Sequence, residues 1–197
     1  MLFRSLPEGA LTADGFTTWE RFLVAHELGH FFLSQFKVPK PLGSREYWNT
    51  ERVCDKFARQ LLLPSREVSQ VVTVAGDSTK DLLSATLHLH TKWAVPWPVA
   101  AFEVADYAKT VHFFRLQSKE DRFRVSASTL PNKLRTGCII AATSSLGSLL
   151  RDLPQNDGKP KQVPVARFGD FEILSRVTDV AVYRAGLSEY RIATRPA

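Results

Sequence analysis

The hydrophobic period of this chain changes once, near Thr110, and that switch restricts it to folds in which helices precede a sheet. Before it, apolar residues recur at helical spacing. Phe22, Ala25, Gly29, Phe32 and Leu33 mark a helix from Thr18 to about Phe36, stopped by Lys37-Val38-Pro39-Lys40-Pro41. A second helix is expected from Asn49 or Thr50 to the residue before Pro64, and a third from Ser78 to Trp93. A fourth is expected from Ala100 to Lys109, entered through the rigid Val95-Pro96-Trp97-Pro98 stretch. After Thr110, strands are expected at Val111 to Gln117, Arg122 to Ala127, Gly137 to Thr143, Phe171 to Ser175, Val177 to Tyr183 and Tyr190 to Thr194. A hairpin turn falls at Ser118 to Asp121, a short helix at Ser145 to Leu153 and a polar loop at Pro154 to Pro164. The fold class is therefore α+β, with a helical domain over 1–110 and a mixed, mostly β region over 111–197.

A chain of 197 residues that is 44% hydrophobic and 23% charged can bury a core, which excludes collagen-like, low-complexity and disordered classes. No uncharged run is apolar enough to span a bilayer. The N-terminal MLFRSLPEGALTADG reaches Pro7 and Glu8 before any apolar run develops, so a cytoplasmic protein is expected. Cys54 and Cys138 fit a reducing compartment as small apolar residues, too few for a disulfide scaffold or a thiolate metal site. The basic excess lies mostly after residue 100, where 15 Lys+Arg face 10 Asp+Glu. No run of Lys and Arg is interleaved with aromatics, so direct nucleic-acid binding is not expected.

Chemistry concentrates in His26-Glu27-Leu28-Gly29-His30. Two His at i and i+4 project from one helical face, so their imidazole nitrogens can converge on one tetrahedral Zn²⁺. Glu27 lies about 100° round the helix, beside the ion without being forced to ligate it, which suits a general base. A third ligand should come from a second helix. Glu51, 21 residues after His30, has room to return antiparallel, and Asp55 follows at i+4 on the same face. There Asp55 could accept a hydrogen bond from the outer nitrogen of a ligating His and fix its tautomer. Ala58 and Leu62 continue that stripe and argue that it points inward. Glu46 is the rival third ligand, but it lacks the i+4 acid.

Other candidates carry less. His88 and His90 are two apart and face nearly opposite sides of a helix, so they are not a ligand pair, although one could reach the site as a donor. His112 sits in an expected strand. Tyr47, just before the second helix, could donate to an oxyanion. Trp93 and Trp97 are expected to pack around the Pro-rich turn.

The segment Glu20-Arg21-Phe22-Leu23-Val24-Ala25-His26-Glu27-Leu28-Gly29-His30, followed by Glu51-Arg52-Val53-Cys54-Asp55-Lys56-Phe57-Ala58-Arg59-Gln60-Leu61-Leu62-Leu63-Pro64, resembles the ImmA/IrrE family of zinc metallopeptidases. That resemblance covers residues 20 to 64 and extends more weakly to about residue 104. It implies His26, His30 and Glu51 as zinc ligands, Glu27 as the catalytic acid/base and Asp55 as their orienting partner. It further implies a zinc-dependent endopeptidase acting on a specific protein substrate, a helix-turn-helix transcriptional repressor being the first candidate, with no membrane partner. The chain departs from the family pattern in having only 18 residues before Trp19, where a helix and strands are usual. A shallow, poorly edged cleft and weak generic peptidase activity are therefore expected. The competing expectation is a catalytically weak or inactive zinc-binding regulatory module.

Overall fold

A computed structural model describes residues 11–13, 15–34, 41–120, 122–129, 137–141, 144–152, 159–163, 177–185 and 188–196. The first helix, α1 (Thr18–Ser34), opens on a reciprocal capping box. Thr17 N–H donates to Glu20 Oε2 at 2.7 Å, and Glu20 N–H donates to Thr17 Oγ1 at 3.2 Å. The bonds that Thr17 makes to the Glu20 carboxylate, from its backbone first and then its side chain, hold that carboxyl below its ordinary pKa. The next helix, α2 (Arg45–Leu62), begins about one turn earlier than the sequence suggested, because Ser44 is its N-cap and accepts from Tyr47 N–H at 3.1 Å. Glu51 consequently sits well inside the helix, not in its first turn.

An additional helix, α3 (Ser65–Ala75), was not expected from the sequence. Its β-branched residues weaken the helical signal, but Val68 and Val72, four apart, are both buried. Next, α4 (Thr79–Trp93) starts at the Ser78 cap and ends where Ala94 turns left-handed (φ 47°) before Pro96. The last helix of the first half, α5 (Trp97–Ala108), starts three residues ahead of the expected Ala100, with Pro98 in its first turn where a missing N–H costs nothing.

Among the described residues, six antiparallel strands form one sheet in the order β3-β2-β1-β6-β5-β4: β1 (His112–Lys119), β2 (Arg122–Ser128), β3 (Ile139–Ala141), β4 (Lys161–Gln162), β5 (Val177–Ala185) and β6 (Glu189–Pro196). A helix, α6 (Ser145–Asp152), lies between β3 and β4. The fold is α+β. The strand expected at Phe171 to Ser175 lies outside the described residues, and the two-residue β4 falls within the expected polar loop.

Central strand β1 is buried on both sides, so the side-chain alternation feeds two cores. Phe113, Ala181, Tyr183 and Ala193 face α4 and α5, where Leu82, Leu83, Leu89, Trp97 and Val104 meet them, and α3 closes the far side of those helices. Phe114, Leu116, Val182 and Ile192 face the other way and close with Phe123, Ile140 and Leu150 of α6. The first of these cores crosses residue 110, joining α4 and α5 to the sheet. Asp179 of β5 ties the sheet to α4 by accepting from Thr79 N–H at 3.0 Å. Partial burial works to raise its pKa, but the bonds from Thr79 and Gln162 and the Arg195 charge outweigh this and leave it below the ordinary value. No helix among the described residues is long and apolar enough to cross a membrane.

Candidate metal centre

Helices α1 and α2 pack through small residues, and this closeness makes the site. Ala25 and Gly29 of α1 and Cys54 and Ala58 of α2 are buried between them. A Cβ built on Gly29 would stand 3.2 Å from Cys54 Cα and 3.2 Å from Phe57 Cδ1, so no larger residue fits there without movement. On the flank of this seam the side chains of His26, His30 and Glu51 turn toward one another.

His26 Nε2 lies 3.1 Å from His30 Nε2 and 3.2 Å from Glu51 Oε2, while His30 Nε2 lies 3.2 Å from Glu51 Oε1. One ligand atom from each residue falls within 4.8 Å of the others, and the three form a group able to hold a metal ion. Among the described residues it is the only such group. Asp55 Oδ1 stands 2.9 Å from His26 Nδ1. With Nδ1–H donating to that carboxylate, the lone pair of His26 is on Nε2 and faces the centre. Asp55 is not inward as its stripe implied: its side chain is 54% exposed, while Ala58 on the same stripe is fully buried. The acid reaches the histidine from the solvent rim of the seam.

Glu27 is exposed on the neighbouring face of α1 and makes no hydrogen bond or ion pair among the described residues. Tyr47 joins the site from the first turn of α2. The Glu51 carboxylate beside it, desolvation, a hydrogen bond to Glu51 and the more distant Glu27 charge together hold its hydroxyl above the ordinary tyrosine pKa, so it stays protonated. Glu46 is exposed and stands outside the metal-binding group.

The remaining sequence candidates lie elsewhere. His90 is fully buried and its Nδ1 meets Val95 O at 2.5 Å, closing the α4–α5 turn. His88 is partly exposed and lies near Glu67. His112 starts β1, where burial lowers its pKa. Trp97 is buried and donates Nε1–H to Thr86 Oγ1 at 2.9 Å, a packing role as expected. Cys54 is buried in the α1–α2 seam, Cys138 is half-buried, and both are free thiols.

Beside Asp55 a cavity of about 750 Å³ opens between α1, α2 and α5. Its wall includes Arg52, Lys56 and Arg59, to which the sequence analysis assigned no role. Their shared face at i, i+4 and i+7 was readable, but nothing in the sequence brings α5 against it. No family model matches this chain, and no curated protein does.

Proposed function

We propose that this protein is a zinc-dependent endopeptidase acting on a specific protein substrate. The observation that carries this reading is the convergence of His26, His30 and Glu51 from two helices, with the unpaired Glu27 one residue from the first ligand. A tetrahedral ion with bonds of about 2.0–2.1 Å holds its donors roughly 3.3–3.4 Å apart. The separations of 3.1, 3.2 and 3.2 Å here suit such an ion, and two imidazoles with one carboxylate form a donor set that zinc favours in hydrolytic sites. When bound, the ion would supply a water of near-neutral pKa and a Lewis acid for the scissile carbonyl.

The chain's own groups supply the rest. The Glu27 carboxylate accepts the proton of the attacking water and returns it to the departing amide nitrogen. Asp55 keeps the His26 ring in the Nε2-ligating tautomer. The Tyr47 hydroxyl, beside Glu51, is a donor for charge that develops on the carbonyl oxygen. A helix-turn-helix repressor is the first substrate candidate, through the family resemblance, and the reaction would then relieve repression.

A second reading, a metal-binding regulatory module with little turnover, draws on one feature. Among the described residues, a single Leu11–Thr17 bridge precedes α1, whereas a peptidase gains from an edge strand that stretches its substrate across the metal. Zinc analysis with a cleavage assay separates the two. The His26→Ala/His30→Ala double variant should lose the metal. Glu27→Gln should keep it and the fold while cleavage drops about 10² to 10⁴-fold. Equal cleavage by wild type and Glu27→Gln would remove the enzyme reading, and metal retained by the double variant would remove the site.

A further inference from the structure

Five apolar side chains and three cations surround the cavity beside Asp55, an unusual lining for a surface hollow. Trp19 and Phe22 come from α1, and Pro98, Val99 and Phe102 from the first turns of α5. The α2 face supplies Arg52, Lys56 and Arg59 with Asp55 as the one acid. Arg59 is already committed: its Nε lies 3.1 Å from Glu103, its Nη2 lies 3.7 Å from Asp106, and its guanidinium stacks over Phe102. Asp55 is committed to His26. Arg52 and Lys56 are exposed and form no ion pair among the described residues, although Lys56 stands close enough to Glu103 to influence it. Two available cations thus stand over an aromatic floor, next to the residue that orients a metal ligand.

We infer that this cavity selects the substrate, accepting a short segment in which an aspartate or glutamate adjoins an aromatic or large aliphatic residue. This rests on the endopeptidase reading for its meaning, though not for its geometry. The volume suits a few side chains, within the range of ordinary ligand pockets, and is too small for a folded domain. The apolar part of the segment covers Phe22 and Phe102, and its carboxylate meets Arg52 and Lys56 as charge-assisted hydrogen bonds. Nucleic acid fits less well. Its phosphates ask for a track of cations with bases stacked in series, whereas here two cations stand at one short surface hollow. The first turns of α5, the positive end of its dipole, add to the preference for an anion.

The test is a calorimetric titration of the 197-residue Glu27→Gln chain, which binds without turning over. The probes are the blocked peptide Gly-Leu-Glu-Phe-Glu-Gly, its twin with both Glu replaced by Gln, and a thymidylate octamer. The acidic peptide should bind about tenfold or more tightly than its twin, and Arg52→Glu/Lys56→Glu should erase that preference while metal stoichiometry stays unchanged. Equal binding of the two peptides, no binding of either, or a preference that survives the double reversal would overturn the proposal. Tighter binding of the octamer than of the acidic peptide would also overturn it, in favour of a nucleic-acid contact. Failure of the endopeptidase reading looks different: the acidic preference would hold while the zinc-loaded wild type cut nothing.

Discussion

Leu89 in α4 and Phe31 in α1 are both large apolar side chains on helices, yet the first is fully buried and the second is 58% exposed. The contrast extends to the helices around them. In α4 and α5 most apolar residues are buried, against the sheet, α3 and each other. In α1, Leu23, Val24, Leu28, Phe31 and Phe32 lie open, and only small residues are buried. The α1–α2 pair is held to the rest by a few anchors. Arg21 Nη1 donates to the Trp93 and Ala94 carbonyls at the end of α4, Arg59 pairs with Glu103 of α5, and Phe22 and Leu62 touch the larger core. The candidate site therefore sits on a pair of helices with little apolar burial among the described residues. Such parts open at lower free energy than a core. A metal ion joining α1 to α2 would stabilise that pair by an amount that grows with the logarithm of the free metal concentration over its Kd.

The sharpest way to break this comparison is to damage each half in turn. Phe113 is fully buried at the centre of β1, with its ring edge-on to Trp97 at a centroid distance of 6.3 Å. Phe113→Ala should cost about 3–5 kcal/mol in urea unfolding, from lost transfer energy and the cavity left behind. Metal binding per folded molecule should be unchanged, because β1 does not touch the donors. If the folded fraction lost its metal as well, the two halves would not be separable.

Gly29→Val is the matching change in the site half, with a smaller expected cost. The branched side chain would press on Cys54 and Phe57, where one carbon already stands at 3.2 Å, and overpacking of this kind costs about 1–3 kcal/mol. Relief requires α1 and α2 to separate, which moves His30 from Glu51, so metal affinity should fall by more than the loss of stability alone explains. Near-ultraviolet circular dichroism beside a metal titration checks this. A Gly29→Val protein with wild-type metal affinity would show that the seam does not set the donor spacing.

The two halves were also unequally legible in the sequence. The histidine pair, Glu51 and Asp55 follow from i+4 spacing and a return helix, and the structure brings their side chains together. The strand order was not readable: β1 pairs with β6 across about 70 residues, and nothing local encodes that contact. The start of α2 was missed because Asn49 and Thr50 are acceptable caps, while the true cap, Ser44, follows Pro41-Leu42-Gly43, which resembles a continuing turn. The exposed position of Asp55 was misjudged for a related reason. A stripe defines a helical face, but the partner decides how far round that face burial extends. Trp19 and Phe22 were legible as helix residues, and their role at a cavity depends on α5, some 75 residues on.

The smallest predicted effect is the most informative about α1. Phe31→Ser removes an aromatic side chain whose nearest ring neighbour is Phe32 at 5.8 Å, whereas Phe32 also leans on Phe57 at 5.9 Å. Serine and phenylalanine have similar helix propensities. With so little buried area to lose, the change should fall within about ±0.5 kcal/mol, as for an ordinary surface position. The same truncation type at Phe113 should cost several times more, so the pair calibrates the difference between the halves in one assay. A loss of 2 kcal/mol or more at Phe31 would mean that this face is covered in solution, because an exposed ring has no such energy to give up. If that loss also grew with protein concentration, and size-exclusion chromatography showed a dimer that Phe31→Ser dissolved, a second copy would be the cover. The open face of α1 would then be an interface, and the metal-site half would be as well packed as the sheet half.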